Sequence, residues 1–78
     1  MKVYVARYDH RHGSDTGVFK SAIGAESYRQ SIAQQWWESK MSAPMPESEP
    51  PNIIADLYFD AMAERDEWFS VEELDLAD

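Results

Sequence analysis

Seventy-eight residues suffice for one domain and not two, and a chain of this length buries somewhat over ~60% of its extended surface. With no cysteine, a disulfide framework and a thiolate metal site are both excluded. A formal net charge of −8 excludes nonspecific DNA or RNA binding through a basic face, which needs clustered Lys and Arg.

From the N-terminus, Lys2 to Asp9 alternates and is rich in Val and Tyr, which predicts a strand. Val3 and Val5 share one face, and Tyr4, Ala6 and Tyr8 the other. His10 to Asp15 reads as a polar turn containing Gly13, and Thr16 to Lys20 as a second short strand. The two form a hairpin whose loop is too long for a two-residue turn. Ser21 is placed to cap a helix running to about Met41. In that helix Ala25, Tyr28, Ile32 and Trp36, flanked by Ala33 and Trp37, make an apolar face wide enough to cover a sheet.

Residues 42–52 contain Pro44, Pro46, Pro50 and Pro51, which forbid helix and predict an extended, exposed connector. Pro51 suits the first turn of a second helix, from about Asn52 to Arg65. Ile54, Leu57, Tyr58, Ala61 and Met62 form its apolar side. Glu67 to Leu76 reads as a closing strand. Phe69 and Val71 share one phase while Leu74 and Leu76 share the other, which predicts a β-bulge at Glu72-Glu73. The expected fold is α+β, β-β-α-α-β: a three-stranded antiparallel sheet with two helices on one face and the last strand beside the first. The opposite face then exposes Tyr4 or Tyr8 unless something covers it, and a second copy of the chain is the expected cover. No apolar run approaches the ~20 residues of a membrane span, and residues 1–5 are too short and too alternating for a signal peptide. The expected compartment is the cytoplasm.

Charge is divided along the chain. Residues 1–40 carry six Lys or Arg and four acids; residues 41–78 carry eleven acids and one base, Arg65. Asp56, Asp60 and Glu64 recur at four-residue spacing, continued by Asp66, Glu67, Glu72, Glu73 and Asp75. On a helix such carboxylates repeat every ~6 Å, near the spacing of phosphates along one nucleic-acid strand. An array of this kind fits a groove built for DNA. The competing reading is a solvated face that keeps a small protein soluble. Like charges at i and i+4 with no Lys partner cost helix stability, which favours a functional role.

A second polar cluster is Asp9-His10-Arg11-His12-Gly13-Ser14-Asp15. On an extended strand His10 and His12 face one side, with Asp9 or Asp15 available as an oxygen ligand, which is the metal-site reading. A third His or a Cys is missing. The alternative is a structured loop or partner contact, with Gly13 at positive φ and the imidazoles hydrogen-bonded or stacked on Tyr8 or a Trp. A His/Asp pair also suggests acid–base chemistry with Ser14 as nucleophile, but no nucleophile-presenting motif surrounds Ser14. No catalytic residue, metal or cofactor is expected. Of Trp36-Trp37, one faces the core and the other is partly exposed; Trp37 is the expected interface anchor, with His10, Arg11 and His12 as further contacts.

The Asp9-His10-Arg11-His12-Gly13 run with Asp15, the Trp-bearing helix and the closing Phe69-Ser70-Val71-Glu72-Glu73 strand together resemble a group of very small bacterial and phage proteins. Small acidic anti-CRISPR inhibitors of type I systems are proteins of this look. The resemblance implies a non-enzymatic inhibitor in the cytoplasm of a bacterial host, binding a basic, DNA-binding Cas surface through the acidic residues. The rival readings are a metal-binding module or enzyme centred on His10 and His12, and another regulatory protein with a basic protein partner.

Overall fold

The computed structural model describes residues 1–77. Its elements run β1 (Lys2–His10), β2 (Gly13–Phe19), α1 (Ala22–Lys40), α2 (Pro51–Ala63) and β3 (Trp68–Asp75). The three strands form one antiparallel sheet of order β2-β1-β3, so β1 is central and both its neighbours are edges. This is the expected β-β-α-α-β arrangement.

Cross-strand partners share a face, so the register sorts every sheet side chain. Tyr4 with Phe19, Ala6 with Gly17 and Val71, and Tyr8 with Asp15 and Phe69 lie on one face. Val3 with Leu74, Val5 with Val18 and Glu72, and Asp9 with Ser14 and Trp68 lie on the other. Both helices pack on the first face. Tyr28 of α1 stacks on Phe19 and Phe69, while Phe59 of α2 meets Tyr8 and Phe69. Tyr8, Ile32, Trp37, Ile54, Tyr58 and Met62 form the buried centre. Tyr8 is therefore a core residue, not an exposed one. The open face instead presents Val18, Trp68 and Leu74, 65%, 55% and 38% exposed. The helix-covered face gains most from aromatic area, because each such ring removes ~150–250 Å² from water.

Four local expectations need correction. The β1–β2 turn is two residues, Arg11-His12, closed by the His10–Gly13 pair. Neither turn residue has positive φ, and Gly13, at φ 132°, takes the conformation that side-chain-bearing residues avoid. β3 has no bulge: its register with β1 runs unbroken from Asp9–Trp68 to Lys2–Asp75. Its apolar phase switches because Phe69 packs on the helix-covered face, which Val71 shares at the exposed edge, while Leu74 pairs with Val3 on the open one. On α1 the apolar stripe is rotated, with Ala25, Ile32, Ala33 and Trp37 buried and Trp36 40% exposed. The connector is not wholly solvent-facing either, since Met45 packs on the core and the Ala43 carbonyl accepts from Trp37 Nε1 at 2.9 Å.

The helix ends follow their sequence signals. Ser21 Oγ accepts from the Gly24 N–H at 3.1 Å, and Pro51 occupies the first turn of α2. α2 stops by turning back on itself: the Asp66 N–H donates to Ala63 O at 3.2 Å and the Glu67 N–H to Met62 O at 3.1 Å. These are the paired bonds of a Schellman motif, and they put Asp66 at φ 60°. Aspartate tolerates that conformation better than most residues, but glycine takes it without a Cβ penalty. Asp66→Gly is therefore expected to raise stability by about 0.5–1 kcal/mol, read as a higher urea midpoint. A lower midpoint would mean that the Asp66 side chain holds the turn.

Candidate functional site

The distinctive chemistry lies where the hairpin turn, the end of α1 and the α2–β3 turn converge. Glu67, delivered by the Schellman turn, is 3% exposed. Tyr8, at the covered face of β1, donates its phenol to Glu67 Oε1 at 2.5 Å. Lys40, in the last turn of α1, places Nζ 3.6 Å from Glu67 Oε2. A hydrogen bond to a charged group contributes about 1.5–3 kcal/mol, and leaving the carboxylate without its donor costs a similar amount. Burial, followed by the hydrogen bond to Glu67, pushes the Tyr8 phenol far above its ordinary value. Burial also raises Tyr58, whose hydroxyl is enclosed by protein and has no hydrogen-bond partner of good geometry among the described residues.

Beside this cluster is a cavity of about 230 Å³, walled by Tyr8, His10, Trp36, Lys40 and Glu67. It falls below the ~300–1,000 Å³ of common small-molecule sites. His10 stacks on Tyr8 with ring centroids 4.8 Å apart. Both its ring nitrogens are engaged: Nδ1 accepts from the His12 backbone N–H at 3.2 Å, and Nε2 lies 2.9 Å from Asp15 Oδ2. A neutral ring with the proton on Nε2 satisfies both contacts. A metal at His10 has to displace one of them. No group of three or more His, Cys, Asp or Glu side chains converges as a metal site among the described residues.

The serine–histidine reading fails on strand geometry. Ser14 pairs with Asp9 on the open face and donates its hydroxyl to that carboxylate. His10 and its Asp15 partner belong to the opposite face. That contact with Ser14, then Arg7, lowers the Asp9 carboxyl.

The acidic array is dispersed. Asp56 does have a cation partner, Arg29 of α1, at 2.9 Å, and the same guanidinium grips Glu26 through Nε at 2.8 Å. Arg29 is thus raised and Glu26 lowered, each chiefly by hydrogen bonding to the other. Glu73 pairs with Lys2 at 3.1 Å. Glu67 is buried and cannot meet a partner surface. Along β3, Glu72 points to the open face while Glu73 and Asp75 point to the other. Asp60, Glu64, Asp66, Glu72 and Asp75 are exposed and make no ion pair among the described residues.

Two further placements differ from expectation. Trp37 is 3% exposed and is a core residue, so the exposed aromatic beside the cavity is Trp36. Arg11 and His12 are exposed in the turn and line the cavity rim with His10. The Tyr8–Glu67–Lys40 cluster had no sequence signal, because its members lie 27 to 59 positions apart (32 from Tyr8 to Lys40). Neither helix is long and apolar enough to cross a membrane. No protein-family model, curated protein or solved structure matches this chain.

The two phenols lead to opposite mutational outcomes. Tyr58→Phe removes an unpaired buried hydroxyl and should leave stability unchanged or raise it by up to about 1 kcal/mol, whereas Tyr8→Phe should cost about 1–3 kcal/mol. Chemical denaturation of both variants checks this; equal losses would show that Tyr58 is also bonded. Because the folded state favours neutral phenols at Tyr8 and Tyr58, their contribution is complete below the ordinary phenol value of about pH 10 and is lost above it. Stability should therefore fall as pH rises past about 10, with part of the phenolate absorbance appearing only on unfolding.

Proposed function

We propose that this chain is a small, non-enzymatic binding protein that sets its acidic half against a basic, DNA-binding surface of a partner protein and so keeps DNA away. The partner implied by the resemblance to small phage inhibitors is a subunit of a type I Cas complex. One observation carries the reading: Asp60 and Glu64 on α2, Asp66 in the turn, and Glu72 and Asp75 on β3 are exposed carboxylates with no cation paired to them among the described residues. Their neighbours Asp56 and Glu73 are already paired. The unpaired set retains its full field for an incoming basic surface, and such fields speed association more than they deepen affinity. The separation of Ser14 from His10 supports binding over hydrolysis.

Self-association belongs to the same proposal. Val18, Trp68 and Leu74 are exposed on the sheet face that no helix covers, and a second copy is the proposed cover. Light scattering at high micromolar concentration should return a dimer mass; a monomer mass would remove this part of the reading.

The acidic contact is tested by Asp60→Asn, Glu64→Gln and Asp66→Asn together. Relief of like-charge repulsion should leave melting equal or slightly higher. Affinity for a type I Cas complex should fall by about threefold to a hundredfold, because each of the three exposed pairs contributes about 0.2–1 kcal/mol and loses strength as salt rises. Wild-type protein should compete with labelled target DNA for the complex. Undiminished competition by the triple variant would overturn the assignment of these residues.

A further inference from the structure

β3 is an edge strand of eight residues with continuous register, and no proline, lysine or bulge interrupts it. Those three are among the devices that ordinarily protect a sheet edge, and the device β3 does carry is charge of one sign. The direction of its free backbone groups follows from one pair. Leu76 N–H donates to Met1 O at 2.7 Å, and the Met1 amine donates back to Leu76 O at 3.4 Å. In an antiparallel ladder such reciprocal pairs recur at every second residue. The even-numbered residues of β3 therefore bond to β1. Phe69, Val71, Glu73 and Asp75 turn their N–H and C=O groups outward, where no strand meets them.

The side chains of this edge select what can join it. β3 carries Glu72, Glu73 and Asp75 and no cation. Glu72 projects from one face and Glu73 and Asp75 from the other, so a joining strand meets carboxylates on both of its sides. A second β3 would set like charges side by side, which destabilises cross-strand pairs. A cationic strand gains on both faces. The Lys2–Glu73 pair is half-exposed and exchangeable, so it does not block the edge.

We propose that β3 accepts an extended, Lys/Arg-rich segment of a partner protein as a fourth, antiparallel or parallel strand. Main-chain hydrogen bonds to Phe69, Val71, Glu73 and Asp75 supply the grip, and the carboxylates supply the choice of a basic strand. This deepens the acidic-binding reading and rests on it, by stating how part of the acidic half engages its partner.

The probe is a blocked peptide of about ten residues alternating Lys and Val, titrated at low salt into isotopically labelled full chain. Exchange of the Phe69, Val71, Glu73 and Asp75 amides should slow by about tenfold or more, while the Ser70, Glu72 and Leu74 amides, already in the ladder, change little. A Glu-Val peptide should give no protection. Val71→Pro removes an outward N–H and should abolish protection while melting stays near wild type; Glu72→Pro, which removes an inward one, should destabilise the fold. If Val71→Pro itself melts early, the exchange pattern of the wild type decides alone. Peptide binding without slowed exchange at the four amides overturns strand addition and leaves the acidic surface standing. No binding also overturns it, with the acidic-surface reading judged separately by competition with DNA. Amides already protected without peptide, in a protein of dimer mass, would assign the edge to a second copy and overturn the proposal.

Discussion

The arrangement depends on keeping one carboxylate, Glu67, inside a small protein. An acid 3% exposed is tolerable only because a phenol donates to it and an ammonium stands near it. Those two partners come from different elements: Tyr8 from the middle strand, Lys40 from the last turn of α1. Meeting them requires α2 to end where it does and reverse through the left-handed residue Asp66. The contact therefore couples the sheet, both helices and the α2–β3 turn. A hydrophobic residue at position 67 could fill the space, but it would not dictate which strand end meets which helix end.

The central strand serves two surfaces of opposite character. Tyr8 and Ala6 look into the helices, where Tyr28, Phe59 and Phe69 form a chain of ring contacts. Val3, Val5 and their cross-strand neighbours look to a face without a second layer. The covered layer does not reach the far end of the sheet, so Glu73 and Asp75 remain solvated although they share a face with Phe69. The change in apolar phase along β3 records the limit of helix coverage.

Charge in the folded molecule is more selective than its total suggests. Arg29 holds Glu26 and Asp56, Lys2 holds Glu73, and Arg7 holds Asp9. Most of these pairs are exposed and contribute little to stability. They nevertheless decide which acids keep an uncompensated field. Besides Glu38 on α1 and Glu47 and Glu49 in the connector, the exposed unpaired carboxylates among the described residues lie on the α2 surface, in its C-terminal turn and along the β3 edge, where charge and unpaired backbone occur together.

Local periodicity determined much of this fold on its own. Alternation in Lys2–Asp9, the Ser21 cap, the proline cluster and the apolar side of α2 each specify an element through interactions within a few residues. Binary pattern and connection length then leave few ways to pack two helices on three strands. Decisions that depend on distant partners were not legible. Whether Trp36 or Trp37 enters the core depends on the rotation of α1 against α2, about which two adjacent indoles carry no information. The open side of the sheet was ambiguous because β1 is apolar on both faces, and only the position of the helices distinguishes them. The acids looked like one array because their spacing is visible in sequence, whereas burial of Glu67, the Arg29–Asp56 pair and the two-faced alternation of β3 arise only when segments meet. Short-range spacing sets backbone form; the desolvation and pairing of a charged side chain are set by what lies across the fold.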